Sequence, residues 1–516
     1  MSSSPAPGVR LGRPLVGVLV LLVLAQLVFA ISIRLPYPFA LEWMEGGMLE
    51  HVRRLSVGLP LFTPPSVEFV PYIYAPLYYY LGALGAEVWG LSLPMLRALT
   101  VGCTIGTFGL LFWGSTRGLS RQPWGLQAFI GLVTAGLFAA TWPLSGTFFD
   151  LARVDMLFVL LTLGGTLTLL EGSRLSSGGL AGMLLGLAFL SKQSALPWCG
   201  PLLALELWQH PRRALVALVT LGLVGGGGSL LCAAGQAEWY VYYVFTLPGS
   251  HPLDWSLSGQ LWGSDLLIPL WPALAVIGLS LWHLPSTRRH ARGELVLLLG
   301  ALLTAWGSRV HVGGYDNVVL PLHVTVCLLA GRAFGRLSEA AADETSTALT
   351  RREGLALGLL GLNLLLLFRD LSPLLPREAD QQAGEGLVQQ LEAVPGAVWV
   401  PGHSELSLAA GKTAGAHWMA LEDVLRGVPG PARDELIQSL RLAFQSQQFE
   451  AILLNGAPPK RMLETYELKG PVFAQPELFR TVTGLRTRPE SWWRRRTIPA
   501  EAVSPASEDT EEKRLR

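Results

Sequence analysis

Apolar residues dominate the first 369 positions in long runs separated by short polar connections. A helix needs about 20 mostly apolar residues to cross a bilayer, and runs with few charges are typical of such spans. Eleven runs approach that length, at 14–31, 97–114, 126–147, 154–171, 178–191, 195–208, 214–234, 264–283, 293–307, 317–333 and 354–369, and 76–91 is a weaker twelfth candidate. The pattern predicts an α-helical polytopic membrane protein with about 11–12 transmembrane helices.

A long connection, residues 32–75, follows the first apolar run. Its stretch "MEGGMLEHVRRLSVGLPLF" places Met44, Met48, Val52 and Leu55 at helical spacing. This spacing predicts an amphipathic helix that lies on the membrane surface.

The composition changes at about residue 370. Two short apolar stretches, "VPGAVWVPG" and "FEAILLNG", alternate with polar helical patterns and indicate buried strands. We therefore predict a transmembrane domain over 1–369, a small C-terminal α/β domain over 370–490, and a polar, disordered tail over 491–516.

The distribution of arginine predicts how the chain is oriented. Cytoplasmic connections carry an excess of Lys and Arg. With the N-terminus inside and 76–91 not crossing, fourteen arginines fall in inside connections and six cations in outside ones. A full crossing by 76–91 would invert the later loops. The first arrangement predicts a cytoplasmic N-terminus and a C-terminal domain on the opposite, extracytoplasmic side.

Composition narrows the class of protein further. Half of the residues are hydrophobic, only 15% are charged, and the net charge is +1, which argues against a soluble enzyme and against nucleic acid as a partner. The four cysteines show no CxxC spacing, and the nine histidines show no metal-ligand spacing. Membrane lipids are the partners that this composition favours.

Charged residues at membrane depth are the strongest chemical signal in the chain. Arg153 and Asp155 stand at the mouth of an apolar run, and Lys192, the only lysine among the first 369 residues, lies between two others. Charges in such places are costly and typically mark a substrate or ion pathway. Each also has a structural alternative: Asp155 could cap a helix beside Arg153, and Lys192 could extend to the lipid headgroups.

The predicted topology brings further polar residues to the same face. Glu42 and Glu45 lie in the first outside loop, and either could act as a general base, although Glu45 could instead cap its helix. Another outside connection, "SRVHVGGYDN", holds more candidates. The expected binders of a lipid-linked phosphate are Lys192, Arg153, Arg309 and His311. The expected pocket residues are Tyr74, Tyr78, Gln193, Tyr315 and Asn317, and the two tyrosines could alternatively anchor the chain at the membrane interface.

Five short motifs resemble the GT-C glycosyltransferases. They are "HVRRLSVGLPLF", "YAPLYYYLGAL", "ARVDMLFVLL", "FLSKQSAL" and "GGYDNVVLP", within residues 14–335. The nearest likeness is to the bacterial branch related to dolichyl-phosphate-mannose protein mannosyltransferases and the aminoarabinose transferases of lipid A. The resemblance implies a GT-C-like fold and transfer of a sugar from a polyprenyl-phosphate donor, with inversion, on the periplasmic or lumenal face.

The resemblance also assigns roles to individual residues. Members of this family often begin the first loop with an Asp-Glu pair, where this sequence has Met44-Glu45. The catalytic residues are therefore expected to be Glu45 and Asp155, with Glu42 as a substitute for the missing acid. Lys192 matches the family's cationic position. Because no DxD pair is present, no metal is expected, and the lipid-linked sugar is the only cofactor-like molecule implied.

Three functions remain open from the sequence. The first is a glycosyltransferase acting on a lipid, glycan or protein acceptor. The second is a non-catalytic carrier or flippase of lipid-linked intermediates, although we find no convincing internal repeat in the sequence. The third is a receptor whose outer domain acts alone. The glycosyltransferase requires Glu45, Asp155 and Lys192 to share one pocket.

Overall fold

The computed structural model describes residues 7–120, 122–283, 288–343 and 347–496. The part that holds the apolar runs is almost entirely helical. Its helices are α1 (Pro7–Arg34), α2 (Glu45–Ser56), α3 (Leu77–Trp89), α4 (Leu93–Thr116), α5 (Trp124–Ala140), α6 (Asp155–Glu171), α7 (Leu175–Ser191), α8 (Ala195–Gln209), α9 (Pro211–Leu221), α10 (Gly227–Ala233), α11 (Ala237–Val241), α12 (Leu247–Ser250), α13 (Ser258–Gln260), α14 (Ile268–His283), α15 (Arg288–Val310), α16 (Leu320–Asp343) and α17 (Thr347–Leu367).

Six continuous helical stretches in the described residues are long and apolar enough to cross a membrane. They are Gly12–Arg34, Leu93–Thr116, Pro211–Ala233, Trp255–His283, Ala291–Val310 and Asp316–Ala342. A seventh candidate, Ala348–Leu367, bends by 59° into Ser372–Glu392. The helical, multi-pass membrane class is therefore confirmed, while the count of 11–12 spans stays a prediction. Several of the expected spans are helices of 15–17 residues, about 25 Å long and shorter than the hydrocarbon core.

The fifth helix ends earlier than its apolar run suggests. A span over 126–147 was expected, but α5 stops at Ala140, and residues 141–154 form turns. Trp142-Pro143 cannot continue the helix, because proline disfavours helical geometry in the residue before it. The turns are anchored by Asp150, whose carboxylate accepts hydrogen bonds from Arg34 at 2.6 and 3.2 Å. This non-helical segment brings Arg153 to the site described below.

The amphipathic helix of the first loop is present as α2, but it does not present one face to lipid. Its residues Glu45 to Val52 are all buried. Gly46 packs against the Glu405 carboxylate, and Gly47 packs against the Tyr72 hydroxyl. Only glycine fits at these two positions, since a Cβ would collide with those side chains. The surface placement that we expected is therefore wrong, and α2 is enclosed by protein.

The C-terminal domain is α/β, and its sheet extends further along the chain than predicted. It contains α18 (Glu378–Glu392), β1 (Val398–Trp399), α19 (Ser404–Ala409), α20 (Trp418–Arg426), α21 (Pro431–Gln445), β2 (Ala451–Leu454), α22 (Met462–Thr465), β3 (Tyr466–Pro471) and β4 (Ser491–Arg495). The strand order is β1-β2-β4-β3, with β1 parallel to β2 and the other pairs antiparallel.

The expected boundary at residue 490 needs correction because β4 lies inside the sheet. Trp492 and Trp493 are buried there, and β4 pairs with both β2 and β3. We therefore define the C-terminal domain as residues 370–496. The rest of the predicted tail, 497–516, lies outside the described residues.

The C-terminal domain binds the segment that precedes α2 through hydrogen bonds and ring contacts. We call this segment, residues 35–44, the Glu42 loop. The carbonyl of Leu41 accepts hydrogen bonds from the backbone N–H groups of Val482 and Thr483 at 3.0 and 3.2 Å, and Glu42 and Thr483 form a parallel β-bridge. The rings of Trp43 and Trp418 lie 5.2 Å apart. The domain and the first loop therefore share one side of the molecule, and one continuous apolar core joins the domain to the helices.

Candidate active site

A cavity of about 270 Å³ lies where the helices meet the C-terminal domain. Eight of the twelve residues singled out from the sequence line it. They are Glu42, Tyr74, Arg153, Lys192, Gln193, His311, Tyr315 and Asn317. These residues come from five separate segments of the chain, so only the folded protein brings them together.

Lys192 is held on the cavity wall by a carboxylate behind it. Helix α7 ends at Ser191, and the extended backbone of Lys192 turns its side chain back toward the start of α6. There its Nζ lies 2.7 Å from Asp155 Oδ1, which also accepts a hydrogen bond from Asn317 Nδ2 at 2.8 Å. Asp155 is almost completely buried, whereas 15% of the Lys192 side chain is exposed. The ammonium therefore faces the cavity, and Asp155 fixes it from the protein side.

A second cation, Arg153, lies on the same wall and pairs with Glu42. Its Nη1 contacts both Glu42 oxygens, at 3.0 and 3.2 Å, and its Nη2 donates to the Tyr74 hydroxyl at 2.8 Å. The Arg153 Nε is buried with no partner among the described residues. The guanidinium thus retains one buried N–H donor that no described residue occupies.

Glu42 combines burial with access to the cavity. Burial raises its pKa to about 7, and the nearby Glu45 adds to this, while Arg153 and the Met44 N–H act in the opposite direction. A carboxylate with a pKa near the working pH is well suited to take a proton from a substrate. Among the acidic residues proposed from the sequence, only Glu42 lines the cavity.

Glu45, the acid that matches the family motif, does not line the cavity. Arg97 binds its carboxylate at 2.6 and 2.9 Å, and the N–H groups of Leu41 and Ala152 each donate to it at 2.7 Å. Burial alone would raise its pKa, but Arg97 and these N–H groups hold the pKa of Glu45 below its usual value. Because its oxygens are occupied and enclosed, the structure places Glu45 in a supporting position behind Glu42.

Three other predicted site residues also lie off the cavity wall. Tyr78 donates to the carbonyl of Leu96 at 3.0 Å and is fully buried. Arg309 is occupied by Asp265 at 2.8 Å and by Asp316 at 3.4 Å. Asp155 reaches the cavity only through Lys192. The structure therefore does not place these three side chains where they would contact a substrate in the cavity.

Two further wall residues, Gln193 and His311, are held by hydrogen bonds to backbone carbonyls. Gln193 Nε2 donates to the carbonyls of Ile73 and Val244 at 2.9 and 2.7 Å. His311 Nε2 lies 2.8 Å from the carbonyl of Pro248. Gln193 therefore joins the first loop to residues 242–246, and the wall is rigidly cross-linked.

The overall chain trace is similar to that of a solved membrane protein. ArnT from Cupriavidus metallidurans, in the apo state, superposes with a TM-score of 0.59 at 12% identity, covering 92% of this chain and 97% of that chain. ArnT bound to undecaprenyl phosphate gives 0.58 with the same identity and coverage. The chain has the fold of ArnT. No family model and no curated protein matches the sequence.

The likeness to ArnT confirms the GT-C-like fold that the sequence motifs implied. It covers the C-terminal domain as well as the helices, since almost the whole length of each chain is matched. At this identity ArnT informs the fold alone, so the roles of individual residues in this chain rest on its own geometry.

Two cavity residues escaped the sequence reasoning. Asp423, on α20 of the C-terminal domain, lines the cavity, and so does His251, which follows α12. Asp423 lies in a helix whose composition is that of an ordinary soluble domain. It does not interrupt an apolar run, which is the signal that identified Arg153 and Lys192. His251 follows "LPGS" in a loop with no motif. Only the docking of the C-terminal domain identifies both residues.

The described residues of the cavity do not form an evident metal centre. Within the described ranges, no group of three or more His, Cys, Asp and Glu side chains is arranged to hold a metal ion. The acidic groups that could bind a cation, Glu42 and Asp155, are instead paired with Arg153 and Lys192. Metal independence stays a prediction.

Proposed function

We propose that this protein is a membrane glycosyltransferase of the GT-C type. It transfers a sugar from a polyprenyl-phosphate donor to a lipid, glycan or protein acceptor, with inversion, at the periplasmic face of the bacterial inner membrane. One observation carries the proposal: a single cavity in an ArnT-like fold presents two cations and a carboxylate whose pKa lies near neutrality.

In this mechanism Glu42 is the general base. Its carboxylate accepts the proton of an acceptor hydroxyl as that oxygen forms a bond to the anomeric carbon of the donor sugar. The bond between that carbon and the phosphate oxygen breaks, and the electron pair leaves with the polyprenyl phosphate. Attack on the face opposite the leaving group inverts the anomeric configuration.

The two cations stabilise the phosphate as it leaves. Lys192 provides a compact positive charge on the cavity wall, and Arg153 provides the buried Nε donor that lacks a partner among the described residues. Positive groups held in place before the reaction stabilise charge that develops in the transition state. Asp155 and Asn317 act through Lys192 and are positioning residues, as are Glu45 and Arg97 for the Glu42 loop.

The polyprenyl chain of the donor also requires an apolar surface, which the membrane-spanning part of the protein provides. Several large apolar side chains are exposed on the helical part of the chain. These include Leu223, Leu230, Leu231 and Ile268. Exposed apolar surface of this kind suits lipid contact.

A non-catalytic carrier is the second candidate. It would need the two cations for the phosphate but would have no use for a carboxylate with a pKa near 7 in the same cavity. A receptor whose C-terminal domain acts alone is disfavoured, because Met419 and Asp423 of that domain line a cavity shared with the helices.

The test uses purified full-length protein in lipid nanodiscs with a panel of undecaprenyl-phosphate sugars. Released undecaprenyl phosphate is measured for the wild type, Glu42→Gln and Glu68→Gln. Glu68 is an exposed carboxylate in the same first loop and serves as the matched control. We expect a loss of at least a hundredfold in kcat for Glu42→Gln and none for Glu68→Gln.

The binding of undecaprenyl phosphate separates enzyme from carrier. If Lys192→Met weakens binding while no donor is ever cleaved by the wild type, the carrier is favoured. Wild-type turnover by Glu42→Gln would remove the base assignment. Binding that is insensitive to both Lys192→Met and Arg153→Met would remove the phosphate site.

A further inference from the structure

The cavity has a second polar wall, opposite in chemical character to the one that holds Lys192 and Arg153. It is formed by Asp423 on α20 and His251 after α12. Both are nearly inaccessible to solvent, with 3% and 5% of their surface exposed. The proposed mechanism uses neither of them. Buried polar groups without a role in the fold need an explanation.

His251 lines the cavity, and its hydrogen bonds determine which of its two ring nitrogens is left without a partner. Its Nε2 lies 2.9 Å from the main-chain carbonyl of Asp423, so Nε2 carries the proton and donates it. Burial lowers the pKa of His251 to about 4, so the ring is neutral near pH 7. Its Nδ1 is therefore an unprotonated acceptor, and it has no partner among the described residues.

Asp423 supplies a second acceptor on the same wall. Its carboxylate lies 3.5 Å from Arg426, too far for a strong hydrogen bond. The bond from His251 to the backbone of Asp423 ties the two residues together. Two hydrogen-bond acceptors of this kind repel a phosphate and attract a group that carries donors.

We propose that Asp423 and His251 form a subsite that binds hydroxyl groups of the sugar acceptor, in the same cavity as the phosphate-binding cations. This assignment rests on the proposed function and extends it by giving the acceptor's chemical class, a polyhydroxylated group such as a glycan or glycolipid headgroup. Asp423 comes from the C-terminal domain and His251 from the helical part, so the subsite gives the C-terminal domain a direct role in substrate choice.

Hydroxyls fit this wall better than a cationic group. Burial raises the pKa of Asp423 to about 7, so its carboxyl group can accept a hydrogen bond from a hydroxyl when ionised or donate one to it when protonated. An ammonium would require the ionised form, and it would also experience repulsion from Arg426 and Arg153, which both act on Asp423. A neutral hydroxyl avoids that repulsion.

The experiment measures equilibrium binding, so that it does not depend on turnover. Full-length protein in nanodiscs is titrated separately with undecaprenyl phosphate and with octyl glycosides of glucose, galactose and mannose below their micellar concentration. The variants are Asp423→Asn, His251→Gln and Glu422→Gln. Glu422 is the exposed carboxylate next to Asp423 on the same helix. Gln at 251 can keep the donor to the Asp423 carbonyl while it removes the Nδ1 acceptor.

We expect Asp423→Asn and His251→Gln to weaken binding of the preferred glycoside by tenfold or more, because a buried acceptor is lost. The affinity for undecaprenyl phosphate should change by less than twofold, and Glu422→Gln should match the wild type in both titrations. Circular dichroism and thermal unfolding verify that the variants are folded.

Other outcomes overturn the assignment. Unchanged glycoside affinity in both variants excludes the subsite, and so does a wild type that binds none of the glycosides. Equal weakening of glycoside and undecaprenyl phosphate indicates general damage to the cavity instead. Loss of the proposed function is visible separately, as undecaprenyl phosphate binding that does not depend on Lys192.

Discussion

Glu42 and Glu45 are three residues apart and equally buried, yet their surroundings shift their pKa values in opposite directions. Glu45 accepts hydrogen bonds from Arg97 and three backbone N–H groups, and its pKa is lowered. Glu42 has one guanidinium and one N–H, and its pKa is raised to about 7. The number of donors, more than burial, decides which carboxylate is a fixed structural charge and which can exchange a proton.

The largest expected effect comes from removing the structural member of this pair. Glu45→Ala leaves Arg97 buried and without its carboxylate, which costs about 3–5 kcal/mol. Glu42→Ala should cost less than half as much, because Arg153 keeps Tyr74 and faces a cavity. Thermal or denaturant unfolding in nanodiscs measures both. Equal losses of stability would contradict the distinction between the two residues.

The second effect is a pH dependence of activity that follows Glu42. Its raised pKa means that the base is protonated below about pH 7 and ionised above it. We expect kcat/KM to fall about tenfold per unit as the pH decreases below 7, and to reach a plateau above it. A profile of undecaprenyl phosphate release from pH 5 to 9 tests this. A flat profile down to pH 5 would point to a base with an ordinary pKa.

A third and smaller effect concerns the support of Lys192. Asp155→Asn removes the charge that fixes the ammonium, and we expect a loss of about tenfold in kcat with little change in KM for the donor. Asn317→Ala keeps the carboxylate and removes only one donor to it, so it should lose about threefold. Steady-state kinetics on both variants measure the difference. A larger loss of kcat in Asn317→Ala than in Asp155→Asn would contradict the assignment of Asp155 as the main support of Lys192.

The smallest effect tests the contact between the C-terminal domain and the turns before α6. Thr483 donates its hydroxyl to the carbonyl of Gly146 at 2.8 Å. Thr483→Val removes this bond and should cost about 1 kcal/mol of stability. Differential unfolding detects this change, and Thr487→Val, at a half-buried position in the same domain, provides the comparison. No change in Thr483→Val would show that the backbone bridge suffices.

Sequence reasoning located the cations because the membrane makes charges conspicuous. Lys192 and Arg153 stood out against apolar runs, and both line the cavity. The sequence alone could not show which of Glu42 and Glu45 is enclosed by donors. The main donor to Glu45 is Arg97, which lies on another helix in an apolar run. The family motif pointed to Glu45, and the geometry moved the catalytic assignment to Glu42.

The C-terminal domain shows the other limit of reading the chain alone. Strands β1 and β2 could be predicted from two buried stretches, but β3 and β4 were missed, and in β4 "WWRRR" mixes aromatic and charged residues. Asp423 lies in a polar segment of the sequence. A charged residue is ordinary there, so its presence does not indicate a functional site. Its position in the cavity depends on how the domain docks, and local patterns do not encode that.

The place of β4 in the sheet has a consequence for the proposed base. It is the last strand that the structure describes, and it inserts between β2 and β3. The segment just before it, through Val482 and Thr483, holds the backbone on either side of Glu42. The proposed base therefore depends for its position on contacts made by a segment close to the end of the described chain. A variant truncated before β4 would keep the sequence of every apolar helix and lose the strand that completes the sheet behind these contacts.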